Sequence, residues 1–224
     1  MPKRILIINP NSSVEMTRVI QAAAEEFASG DFEVDTESIP TAPEFIDSYE
    51  DEQQAAPGMV ESIRRNQSTW DAFVVACHCD PNLDLMKEIS DKPVVGIGEA
   101  SMKLASMLGD RFAVLSATRQ SMPNKRALVR KYNLQASLAS VRAPDEGVED
   151  LSDEDRYFQM GRAAIDEDLA EVLVLGCAGL AGLDKRLQER LGVPVLDGVV
   201  CALVVAEGLV RYEVSTSKVR RYRG

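Results

Sequence analysis

Cys77 and Cys177 stand about a hundred residues apart, and each closes a short apolar run. The first reads Ala72-Phe73-Val74-Val75-Ala76-Cys77, the second Val172-Leu173-Val174-Leu175-Gly176-Cys177. Such runs read as buried strands, so each thiol falls just past a strand end, where open α/β sheets place their ligands. Two sulfurs on matching strand ends can face one small molecule from opposite sides. That arrangement suits taking a proton from one face of a carbon and returning one to the other. A thiol near a helix N-terminus also gains thiolate character from the exposed amides and the helix dipole. The competing reading of any one cysteine is a small core residue, and the matched pair favours chemistry.

The neighbours of these cysteines carry less specific signals. Gly176, Ala178 and Gly179 leave room for a ligand to approach the backbone, whose amides could hold an anionic oxygen; a plain tight turn is the alternative. Asn9-Pro10-Asn11-Ser12 ends the first strand and offers amides and a hydroxyl to a carboxylate or ring carbonyl, or is only a turn and a cap. His78 and Cys79 raise a metal site, but their spacing matches no common zinc motif. His78 is the single histidine, and no Gly-x-Ser-x-Gly elbow accompanies it, which weakens a hydrolase triad. Cys201 lies in the apolar run Val199–Ala206 and reads as core.

Strand-like and helical patterns alternate along the chain, the mark of parallel βαβ units. Strands are expected at 4–8, 33–38, 72–76, 94–97, 111–115, 172–175 and 194–196. A capping box of Ser12 with Glu15 starts a helix running to about Ala28, and a second helix covers 48–66 with an internal break near Pro57. Asp80-Pro81 opens another, with proline at its first position. The acidic stretch 145–155 reads as an exposed loop and helix start capped by Ser152. Offsets of about 100 to 107 residues between matching segments are consistent with internal duplication. The expected architecture is α/β: two similar Rossmann-like lobes with parallel sheets, related by a pseudo-twofold, with the site in the cleft between them. Residues 1–97 and 207–224 are assigned to the first lobe and 98–206 to the second. Gly96-x-Gly98 lacks the third glycine of a dinucleotide fingerprint, and no phosphate loop is present.

Composition sets outer limits. A net charge of −11 argues against nucleic acid or an anionic membrane as partner, and the basic cluster of Lys218, Arg220, Arg221 and Arg223 reads as a solvated tail. No apolar run approaches the ~18 residues of a membrane helix, and no targeting segment is visible. Four cysteines without framework spacing point to reduced thiols in a cytoplasm.

Several segments together resemble the aspartate/glutamate/hydantoin racemase superfamily, closest to its hydantoin racemase branch, which also holds allantoin racemases. They are Ile7-Ile8-Asn9-Pro10-Asn11-Ser12-Ser13 with Met16-Thr17; Ser48-Tyr49-Glu50-Asp51-Glu52 with Pro57-Gly58; Asp80-Pro81 with Leu83; and Pro93-Val94-Val95-Gly96-Ile97 with Glu99-Ala100 and Met102. Leu175-Gly176-Cys177-Ala178-Gly179 followed by Val193-Pro194-Val195-Leu196-Asp197-Gly198 completes the set. The resemblance implies a cofactor-independent racemase acting on a small-molecule substrate, with no metal, and a homo-oligomer. It implies that Cys77 and Cys177 are the two catalytic acid–base groups. It further implies that Asn11, Ser116, Ala117 and the segments beside each cysteine, His78 with Cys79 and Ala178 with Gly179, line the site. The family usually has an aromatic residue and glycine where this chain has His78 and Cys79, and threonines at Ser116 and Ala117, so the substrate is expected to differ from the usual hydantoins. Within the superfamily the alternatives are an amino-acid racemase or a maleate-type cis–trans isomerase, with an arylmalonate decarboxylase further off. A noncatalytic two-lobed binding protein is the alternative from another class.

Overall fold

The computed structural model describes residues 3–144 and 153–223. The first half builds β1 (Arg4–Asn9), α1 (Val14–Ala28), β2 (Glu33–Ser38), α2 (Tyr49–Asn66), β3 (Ala72–Val75), α3 (Leu83–Ile89) and β4 (Val94–Gly96). The second builds α4 (Ile97–Leu108), β5 (Phe112–Leu115), α5 (Met122–Lys131), β6 (Leu138–Arg142), α6 (Glu154–Asp168), β7 (Val172–Leu175), α7 (Asp184–Leu191), β8 (Val195–Leu196) and α8 (Gly198–Arg211). The strands form two four-stranded sheets, ordered β2-β1-β3-β4 and β6-β5-β7-β8, and every pairing is parallel. The identical order makes the two lobes pseudo-twofold copies of one α/β design.

This order fixes where a ligand can sit. From β1 the chain moves outward to β2, then crosses back to β3 on the other side. The connections diverge between β1 and β3, and again between β5 and β7, and a crevice opens at the carboxyl ends of such strand pairs. Asn11 follows β1 and Cys77 follows β3; Ser116 and Ala117 follow β5 and Cys177 follows β7. The four segments therefore lie at the two switch points.

The central strands β3, β5 and β7 are apolar and buried throughout because helices cover both faces of each sheet; the edge strands β2 and β6 carry polar residues and are only partly buried. Ile5, Ile7 and Val74 point into one cluster with α1 and α8, while Leu6, Ile8, Phe73 and Val75 point the other way, against Met59 and Ile63 of α2. The alternation is that of pleated strands. Each lobe also lends a helix to the other. α4 leaves β4 and packs on β5 and β7, while α8 leaves β8 and packs on β1, β3 and α1. The 206/207 division read from the sequence thus falls inside α8, whose Val199, Ala202, Leu203 and Ala206 share the first lobe's cluster. Among the described residues no helix is long and apolar enough to cross a membrane.

Several local expectations are corrected. α1 is capped by Ser13, whose Oγ accepts from Met16 N at 3.3 Å, because the Ser12 amide is engaged by the Pro43 carbonyl at 3.0 Å. α2 runs unbroken through Pro57: the proline removes one backbone bond, and the bare Gly58 lets the helix close on Ile39. α3 begins at Leu83, behind a left-handed Asn82, and not at Pro81. α6 is capped by Asp153; Ser152 and the preceding acidic loop, 145–152, lie outside the described residues. The basic C-terminus is not a free tail. Lys218 donates to the carbonyls of Lys87 and Glu88 at the end of α3, and Arg221 pairs with Asp84 at 3.0 Å.

Candidate active site

The turn after β3 is built around two left-handed residues, Asp80 (φ +47) and Asn82 (φ +55), types that tolerate this region. Asp80 N donates to Cys77 O at 2.9 Å, which folds the segment back on itself and brings Cys79 Sγ to 3.1 Å from Cys77 Sγ. The Cys79 thiol bonded to Cys77 is the largest influence holding Cys77 below its ordinary value; desolvation opposes it, and the Lys125 charge and the Cys79 amide reinforce it. Cys79 moves the opposite way: it keeps the shared proton and is buried, so it titrates well above a free thiol. Cys77 is thereby the member of the pair prepared to be a thiolate.

Asp80 anchors this turn. It is 3% exposed, and its carboxylate accepts from Gly98 N at 3.0 Å, Glu99 N at 2.7 Å and the Tyr132 hydroxyl at 2.5 Å. Gly98 and Glu99 begin α4 and Tyr132 ends α5, so a loop of the first lobe is fastened to two helices packed on the second. The Gly96-x-Gly98 pair serves this contact. A side chain at Gly96 would run into the Asp80 carboxylate, and one at Gly98 would sit 2.9 Å from its Oδ2. Burial raises Asp80 to about 6 despite the three donors.

The turn after β7 is plainer. A Cβ at Gly176 would sit 2.8 Å from the Leu115 carbonyl, so only glycine lets β7 end this close to β5. A short 3-10 turn, Ala178–Leu180, follows Cys177. Desolvation pushes the Cys177 thiol up, and the Gly179 amide only partly offsets it. The two thiols thus differ in acidity, one depressed and one raised, for reasons visible in their neighbours.

Both cysteines line one cavity between the lobes, together with Asn11, Met16, His78, Cys79, Ala117, Ala178 and Lys125. Of the residues expected from the sequence, these include all but two. Ser116 is fully buried, its Oγ 2.6 Å from Ser121 Oγ, and Gly179 lies beside the cavity with its amide toward Cys177. Asn11 is tied inward: its Oδ1 accepts from Asn9 Nδ2 at 2.8 Å and Ser13 N at 2.9 Å. His78 Nε2 lies 3.2 Å from Ser101 Oγ on α4, and burial, then the Lys125 charge, keep the imidazole neutral by lowering it well below its usual range. Lys125, Asn124, Ser121 and Thr118 from the β5–α5 segment, and Phe45, Ile46 and Asp47 from the loop before α2, also line the cavity. Sequence reasoning named none of these. The polar stretch 116–120 after the fifth strand is the sequence signal for Thr118, while α5, polar along most of its length, gives none for Lys125.

The model of the Asp/Glu/Hydantoin racemase family matches residues 5–206. The chain belongs to that family. As a family member it is an enzyme of the racemase class, and its two-lobed fold is the one the family uses. The hydantoin racemase of Pseudomonas sp. (strain NS671) is 39% identical over 98% of this chain and 91% of its own. Among solved structures, allantoin racemase from Klebsiella pneumoniae superposes with a TM-score of 0.93 at 34% identity, covering 98% of this chain and 92% of that one. Allantoin racemase from Pseudomonas fluorescens gives 0.92 at 32% identity, with 98% and 95% covered.

Proposed function

We propose that this racemase acts on 5-substituted hydantoins, allantoin among them, by moving a proton between Cys77 and Cys177 without a cofactor. The observation that carries the reading is the single cavity lined by two thiols at equivalent strand ends, one held toward the thiolate and one toward the thiol. The names of the relatives supply the substrate class.

C5 of a hydantoin lies between a ring nitrogen and a carbonyl, so loss of its proton gives an enolate. The Cys77 thiolate takes the C5 proton, and the C–H electron pair moves into the carbonyl. Cys177, still a thiol, delivers its proton to the opposite face, and the enolate collapses to the other enantiomer. Cys77 then holds the substrate's proton and Cys177 is the thiolate. The reverse turnover, or exchange with water, restores the resting pair. Repulsion between two thiolates in one cavity keeps the second group protonated while the first is charged, and a base whose pKa approaches the working pH is the efficient one. Backbone amides near the strand ends would hold the developing oxyanion, and one such donor is worth roughly 10²–10³ in rate. The reading belongs in a reducing compartment such as cytoplasm, because oxidation of Cys77 removes the base; all four cysteines are free thiols.

Polarimetry tests the assignment. The panel holds single enantiomers of allantoin, several 5-alkyl and 5-aryl hydantoins, aspartate and glutamate. Loss of rotation with the hydantoins, reduced at least ~10²-fold in Cys77→Ser and in Cys177→Ser, is the expected result. Loss of rotation only with an amino acid would move the substrate to that branch of the family, and unimpaired serine variants would overturn the two-thiol mechanism.

A further inference from the structure

Lys125 is 5% exposed, on α5, and lines the same cavity as both cysteines. Lysine is almost never buried this fully without a partner, because its ammonium loses hydration that nothing replaces. Other lysines in the molecule have theirs: Lys3 meets Glu207, Lys87 and Lys103 meet Glu99, and Lys131 meets Asp84. Among the described residues no carboxylate lies within 4.0 Å of Lys125 Nζ, and no side-chain hydrogen bond engages it. The other charged residue lining the cavity, Asp47, is exposed. His78 is held neutral and adds no second cation. Beside the Cys77 thiolate that its charge favours, Lys125 is therefore the positive group the cavity offers a ligand, in a protein whose net charge of −11 would otherwise disfavour anions.

A neutral ring does not need such a group; a carboxylate does. We propose that Lys125 is the recognition group for an anionic substituent, so that the preferred substrates are hydantoins whose C5 side chain ends in a carboxylate. The proposal rests on the racemase reading above and narrows it. The Lys125 charge favours the Cys77 thiolate, but no carboxylate among the described residues pairs with the ammonium; a substrate carboxylate supplies that charge-assisted hydrogen bond.

The test compares hydantoins bearing 5-carboxymethyl and 5-carboxyethyl groups with 5-methyl and 5-isobutyl hydantoins, in the wild type, Lys125→Met and Lys125→Arg. The readout is the ratio of kcat/KM between the two classes, in which any loss common to both cancels. The wild type is expected to favour the carboxylates. Lys125→Met should lower that ratio roughly 10- to 100-fold, through KM more than kcat, the size of a charged hydrogen bond, and Lys125→Arg should recover part of it. The Met variant should melt no lower than the wild type, since an unpartnered buried ammonium has been removed. A ratio unchanged by Lys125→Met overturns the proposal, as does a wild-type preference for the neutral class. Calorimetric titration of 5-carboxymethylhydantoin into the Cys77→Ser/Cys177→Ser protein, with and without Lys125→Met, separates the two readings. Lys125-dependent binding without racemisation of any hydantoin would keep the anion site and remove the racemase substrate; racemisation with binding indifferent to Lys125 would do the reverse.

Discussion

Asp80 predicts a pH dependence of stability that runs against the usual direction for a carboxylate. Its carboxyl titrates near 6 when folded, against an ordinary value of 3.8, so the folded protein binds that proton more tightly than the unfolded chain does. The stabilisation is fully present below pH 3.8 and is lost as the pH rises through 6. At roughly 1.4 kcal/mol per unit, the gap of about two units amounts to about 3 kcal/mol, with little screening to discount at 3% exposure. Asp80→Asn removes the titration while preserving shape. Its amide presents one acceptor and an NH2 group to three donors, a separate and nearly pH-independent cost of about 1–3 kcal/mol. The assay is urea denaturation of both proteins at intervals from pH 4 to 7.5, plotting the difference in unfolding free energy, since carboxyls common to both largely cancel. The wild type's advantage should shrink by about 2–2.5 kcal/mol across that window, since at pH 4 part of the gap has already been lost. A difference flat with pH would refute the reasoning, and one growing with pH would show that the three donors outweigh burial.

The Cys79 thiol is the largest influence lowering Cys77, so Cys79→Ala should move the pH midpoint of Cys77 alkylation upward, and Cys79→Ser, which restores a donor, should move it less; an unchanged midpoint in the alanine variant would remove Cys79 from the account. Gly98→Ala places a methyl 2.9 Å from Asp80 Oδ2 and 3.1 Å from the His78 carbonyl, and should cost about 1–3 kcal/mol in urea denaturation, with a loss of turnover because the Cys77 turn is displaced. A variant of wild-type stability would show that the turn has slack.

What the chain discloses by itself follows the range of the forces involved. β2, a polar edge strand with no fully buried residue, matches its expected bounds without an apolar run; β7 matches its own because a buried strand leaves an unbroken apolar run that needs no partner to be recognised. Cys77 and Cys177 were legible for the same reason, each being the first residue past such a run. β6, Leu-Ala-Ser-Val-Arg at a sheet edge and only half buried, left no comparable mark. α5 hid behind its polarity: Lys125 looks like a surface residue until the fold turns that side of the helix toward the cleft. The choice of Ser13 over Ser12 as cap depended on a hydrogen bond to Pro43 from another loop. The approach of Cys79 to Cys77 arises from two left-handed residues and from Asp80 reaching α4, contacts between segments distant in sequence. Gly96 and Gly98 carried a weak dinucleotide signal in the sequence, and in the structure they are clearance for one carboxylate.

The most direct test of two thiols acting from opposite faces is proton NMR in D2O, starting from a single enantiomer of a racemised hydantoin and stopped at low conversion. With two separate bases, the enantiomer formed should carry deuterium at C5 while the remaining starting enantiomer stays protonated, and both Cys77→Ser and Cys177→Ser should abolish the conversion. Deuterium appearing equally in both enantiomers from the first turnovers would mean one base serving both faces, and would contradict the account.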